Sequence, residues 1–126
     1  GGLKIGVIGV SPPLEGLVAK ENYEGVEYHD PISIVNDVAE HLKMVERCDL
    51  IICLSHLGWD AGGVNDKILI ESTRHIDIVL GGHTHTDFES PESLVNADGT
   101  QVRYSQMGKN GLFVGTMSLI MEPIRK

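Results

Sequence analysis

The chain has 126 residues, 41% of them hydrophobic, and a formal net charge of −8 at neutral pH. That length and apolar content fit one compact unit, residues 1–126, and argue against disorder. The negative charge argues against a nucleic-acid polymer as partner, and no apolar run nears the roughly 18–20 residues that cross a bilayer.

In chain order, "LKIGVIGV" (3–10) is a short run rich in β-branched residues that stops at Ser11-Pro12-Pro13. It reads as a buried strand. Residues 11–31 read as a surface connection, within which "GVEYH" (25–29) suggests a short strand, and Asp30-Pro31 signals a helix start. From Ser33 the period changes. Ile34, Val35, Val38, Ala39, Leu42 and Val45 fall on one side at helical spacing, opposite Asn36, Asp37, Glu40, Lys43 and Glu46. This predicts an amphipathic helix of about four turns. "DLIICL" (49–54) follows as a buried strand, giving the strand, helix, strand signature of a parallel sheet.

The pattern then repeats with a loop at 55–63, a helix over about Val64 to Arg74, a strand "IDIVLGG" (76–82) and a loop at 83–91. "SLVNADGTQVRYSQM" alternates around Ala97-Asp98-Gly99, a hairpin signal, and "GLFVGTMSLIM" (111–121) reads as a last strand. The fold class is therefore α/β, with βαβ units followed by β-hairpins. Cys48 and Cys53 lie in or beside an apolar segment and read as buried thiols, too few for a disulfide framework. The chain opens Gly1-Gly2 without methionine, which reads as a processed or shortened product.

Six histidines separate by position. His29, His41 and His75 lie before a helix, inside one and ahead of a strand, and read as ordinary surface or core-edge residues. His56, His83 and His85 each sit just past the carboxyl end of a predicted parallel strand, the edge where open α/β sheets gather ligands. His83 and His85 are two residues apart, framed by Gly81 and Gly82, and Gly58 follows His56. Such a set can serve one metal or two adjacent ones. Zinc, iron and manganese all accept imidazole, at about 2.0–2.2 Å. Trp59 in the same loop reads as an anchor.

"LSHLG" (54–58) after an apolar strand, followed by "DIVLGGHTH" (77–85), resembles the two later motifs of the calcineurin-like metallophosphoesterases, closest to their 5′-nucleotidase branch. "YHDPISIVNDVAEHL" (28–42) and "QMGKNGLFVGTMSLIM" (106–121) resemble the flanking segments of that branch. The resemblance covers essentially the whole chain. It implies half of a four-layer α/β/β/α sandwich, a pair of divalent ions (zinc, manganese or iron), and hydrolysis of a phosphate ester, with a nucleotide as the expected substrate. By position, His56 and His83 would bind one metal and His85 the other. It also implies a periplasmic or otherwise extracytoplasmic location.

The earlier motifs of the family, D-x-H, GDxxD and GNHE, are not in this sequence. They supply the remaining ligands and the catalytic histidine. The chain thus reads as the C-terminal part of a metallophosphoesterase domain, with the N-terminal half of that domain as its partner and no catalytic residue of its own. It is expected to be inactive alone, and to self-associate or rearrange because of an uncovered sheet face or strand edge. Electrostatics agrees with the missing motifs. Two +2 ions 4 Å apart repel by about 4 kcal/mol even in water, so a bridging acid is needed. Asp60 and Asp87 are the only acids close in sequence to the ligand loops, and Asp77 opens its strand at the wrong end.

Two other readings compete. "HTHTD" (83–87) starts like the HxHxDH signature of metallo-β-lactamase-like hydrolases, but Phe88 stands where the last histidine should be. The chain also fits a non-catalytic α/β interaction module with a vestigial metal site.

Overall fold

A computed structural model describes residues 2–123. Five strands form one sheet in the order β1-β2-β3-β5-β4. They are β1 (Ile5–Val10), β2 (Leu50–Ser55), β3 (Ile78–Leu80), β4 (Glu92–Val95) and β5 (Gln101–Ser105). The first, second, third and fifth run parallel, and β4 pairs antiparallel with β5. The hairpin turns at the predicted place, where Asn96 Oδ1 accepts the N–H groups of Asp98 and Thr100.

Helix α1 (Pro31–Glu40) connects β1 to β2, and α2 (Asp66–Ser72) connects β2 to β3. Asp30 caps α1 by accepting the Ser33 N–H at 2.8 Å, with Pro31 at the first helical position. The helix continues as one wide π-helical turn over His41–Val45, which completes the predicted length. Asn65 caps α2 the same way, accepting from the Ile68 N–H at 3.1 Å.

Strand register explains the core. Ile8, Cys53, Val79 and Tyr104 are cross-strand partners in one row, all buried under the helices. Val35 and Ala39 of α1 and Leu69 and Ile70 of α2 close over that row. Cys48 and Cys53 are both buried and free, as the sequence suggests.

The opposite face is bare in part, although Leu50 and Ile78 on it are buried. Ile5 is 51% exposed, Val7 59%, Leu54 48% and Leu80 40%, although all four are strand residues. Met117 and Leu119 line a cleft with Ile52, Ile78 and Leu80, so the chain's last described segment flanks one part of this face.

Two sequence expectations fail here. Residues 111–121 form no strand, and Val114 and Ile120 are about nine-tenths exposed. The apolar pattern is present, but a strand exists only by pairing, and no described strand pairs its backbone with this segment. Residues 25–29 also form no strand, for the same reason. That connection is instead tied back by Tyr28, whose hydroxyl donates to the Ser11 carbonyl at 3.0 Å.

Candidate metal centre

β2 ends at Ser55 and β3 at Leu80, and parallel pairing of Leu54 with Leu80 makes both chains leave the sheet at one edge. His56 leaves first, its N–H donating to the Val10 carbonyl at 2.9 Å. The His56 and His83 rings meet edge to face, with centroids 5.1 Å apart and planes at 60°. Glycines make this approach possible. A Cβ on Gly82 would lie 3.2 Å from His56 Nδ1. A Cβ on Gly58 (φ +90) would lie 2.7 Å from Thr84 Cγ2 and 3.2 Å from His83 Cδ2.

The second loop is bent sharply. The Thr84 N–H donates to the Gly82 carbonyl at 2.8 Å, closing a three-residue γ-turn with His83 at its apex. His83 has φ 70 and His85 φ 56, both in the left-handed region that non-glycine residues rarely enter. His83 is half-buried. His85 is exposed and does not join the His56–His83 pair, since among the described residues no three His, Cys, Asp or Glu side chains lie close enough to hold one ion.

Beneath the loops lies a buried polar chain that the sequence did not reveal. Asp66, fully buried, accepts from the Ser55 hydroxyl and, at 2.6 Å, from the Tyr104 hydroxyl. Gln106 donates from Nε2 to the Tyr104 hydroxyl at 2.9 Å and accepts the Thr86 N–H on Oε1 at 2.8 Å. Burial raises the Asp66 carboxyl above its ordinary value, against the hydrogen bonds from Ser55 and Tyr104 and the nearby His56 and His83. Burial, then the bond to Asp66, raises the Tyr104 phenol. In the sequence Asp66 is only a first-turn helix acid. Its partner Tyr104 is 38 positions away, and no local signal joins them.

The other candidates separate cleanly. Asp60 and Asp87 are both exposed, and Asp87 forms an isolated bridge with Met107. Asp77 accepts the Ile51 N–H at 2.8 Å and so joins two strands, a structural task. Trp59 is an anchor, stacked 4.5 Å from Tyr104 and edge-on to Phe88 at 5.1 Å. Phe88, where a histidine would be needed for the metallo-β-lactamase pattern, belongs to this aromatic cluster. His29 and His41 are exposed beside Glu27 and Glu46, and His75 lies half-buried away from the loops.

The pair fits a divalent ion as part of a ligand set. Imidazoles bound about 2 Å from one tetrahedral ion have ring centroids about 5 Å apart, close to the 5.1 Å between His56 and His83. Two imidazoles are half of a four-ligand shell, so such an ion would need two further donors.

No family model matches the chain. It is 33% identical over 97 residues to the trifunctional nucleotide phosphoesterase protein YfkN of Bacillus subtilis, covering 71% of this chain and 7% of that protein. It is 32% identical over 92 residues to a 5′-nucleotidase of Vibrio cholerae, covering 66% of this chain and 17% of that one. An apyrase of Tabanus yao is 27% identical over 134 residues, covering 94% of this chain and 23% of the apyrase. The chain therefore spans less than a quarter of the length of these relatives.

Proposed function

This chain belongs to the 5′-nucleotidase branch of the metallophosphoesterases, and we propose that residues 1–126 form the C-terminal part of a phosphatase domain that hydrolyses nucleotide phosphate esters. The observation that carries this is the His56–His83 pair, 5.1 Å apart at the carboxyl edge of a parallel sheet.

His56 and His83 would hold one divalent ion, zinc, manganese or iron, and His85 would serve a second. When bound, such ions polarise phosphoryl oxygens and offset the charge that develops during in-line displacement. The chain's own contribution is placement. The γ-turn aims His83, and Gly58 and Gly82 let the two loops close on each other. Gly9, Val10, Ser11 and Leu54 line an open cleft of about 450 Å³ beside His56, where a phosphorylated small molecule approaches. The bridging acid and the catalytic histidine come from the N-terminal half of the same domain, which packs on the bare sheet face to complete a four-layer sandwich. An extracytoplasmic location accompanies this reading.

The test compares the 126-residue chain with a protein that also carries D-x-H, GDxxD and GNHE segments. Alone, the chain shows no metal-dependent release of phosphate from p-nitrophenyl phosphate or a nucleoside monophosphate, whereas the longer protein turns over. In the longer protein His56→Ala or His83→Ala lowers zinc affinity and turnover together by more than the roughly 10–100-fold lost when only a ligand's hydrogen-bonding partner is removed, and His41→Ala changes neither. Robust hydrolysis by the chain alone, or full activity without His56 and His83, would refute the proposal.

A further inference from the structure

One hydrogen-bonded chain runs under both histidine loops. The Leu57 N–H, next to His56, donates to the Ser55 hydroxyl at 3.1 Å, and that hydroxyl donates to Asp66. Tyr104 donates to the other oxygen of Asp66, Gln106 donates to Tyr104, and the Thr86 N–H, between His85 and Asp87, closes the chain on Gln106. Every link is buried or half-buried, and among the described residues no buried side-chain polar atom lacks a partner.

A second observation points the same way. The backbone of the His83 loop rests directly on this chain. A Cβ on Gly81 would overlap the Tyr104 hydroxyl and come within 2.8 Å of Asp66 Oδ2. Trp59 adds a direct tie between the loops, its backbone N–H donating to the Thr84 hydroxyl at 3.1 Å. Neither loop can shift along the sheet edge without breaking a buried bond, and such bonds are costly to leave unmade.

We propose that Tyr104 and Gln106, acting through Asp66, are positioning residues that fix the spacing of the His56 and His83 rings. Their importance for catalysis rests on the metal-centre reading above, but their effect on ring spacing does not.

NMR on the full 126-residue chain without added metal tests this. In the wild type the His56 and His83 ring protons show mutual cross-relaxation, and the Thr86 amide is protected from exchange. In Tyr104→Phe and in Gln106→Met the ring-to-ring signal falls by about twofold or more and Thr86 exchange quickens about fivefold, the loss expected for one hydrogen bond. A purely structural role for Tyr104 predicts lower stability with the ring spacing and Thr86 protection kept. If Tyr104→Phe does not fold, Gln106→Met carries the test from the far end of the chain. No ring-to-ring signal in the wild type, or an unchanged one in a folded variant, overturns the proposal. Zinc titration of the longer protein that carries the D-x-H, GDxxD and GNHE segments separates the two claims. There, His56 and His83 resonances that ignore zinc sink the metal-centre reading and leave the ring-spacing result standing.

Discussion

The two faces of the sheet are made of the same kinds of residue and have opposite fates. Ile8, Cys53, Val79 and Tyr104 are buried beneath α1 and α2. One position along on each of the first three strands, Val7, Leu54 and Leu80 stand open. Parallel strands usually carry apolar residues on both faces because both faces are covered. The described residues cover one face with helices and the other only in part, where Met117 and Leu119 flank the buried Ile78, so burial here depends on what packs above a strand as much as on the strand's own composition. The chemistry follows the covered side. Asp66, Tyr104 and Gln106 are buried in the layer where helices exclude water, and the histidine loops lean on them.

Substitutions at matched positions turn this contrast into measurements. The largest difference is expected between Tyr104→Ala, which should cost about 3–5 kcal/mol, and Val7→Ala, which should change stability by about 0.5 kcal/mol or less. Urea unfolding followed by circular dichroism gives both, and equal losses would mean the faces do not differ. Next come two glycines. Gly81→Ala forces a methyl into Tyr104 and should cost about 1–3 kcal/mol. Gly9→Ala, on the open face with nothing within 4 Å of the new methyl, should be neutral or gain about 0.5 kcal/mol from a stiffer unfolded chain.

Cys53 gives a smaller, pH-dependent effect. Burial, with a lesser contribution from Asp66, pushes its thiol from 9.0 up to about 12. Its folded value is raised, so its contribution is intact below pH 9 and is lost as pH climbs from about 9 to about 12. Cys53→Ala should flatten the alkaline part of a stability-versus-pH curve, and an unchanged curve would assign the alkaline loss elsewhere. The smallest effect on stability is expected from Val7→Lys combined with Leu54→Lys, within about 0.5 kcal/mol. Sedimentation velocity should instead show less self-association, and no change would mean the open face does not drive it.

Much of this was legible in the sequence. The apolar runs at 3–10 and 49–54 and the helical period from Ile34 to Val45 mark β1, β2 and α1 because their signals are local. The loop positions of His56 and His83 follow from strand order alone. Asp66 was not legible, because its burial is decided by Tyr104 and Ser55 across the fold. The segment 111–121 carries a strand's pattern without a strand's neighbour. The missing motifs pointed to either an uncovered face or an open strand edge, and a uniformly apolar strand does not say which of its sides is covered.

The γ-turn at His83 has one more consequence. Holding a non-glycine residue in that conformation costs on the order of 1–3 kcal/mol, and His85 at φ 56 adds a similar burden. Glycine at either site would relax the backbone, so variants chosen only for heat resistance would drift toward glycine there and discard the rings. Durability and chemistry pull this loop in opposite directions, and a screen for hardier proteins needs a functional filter at these two positions.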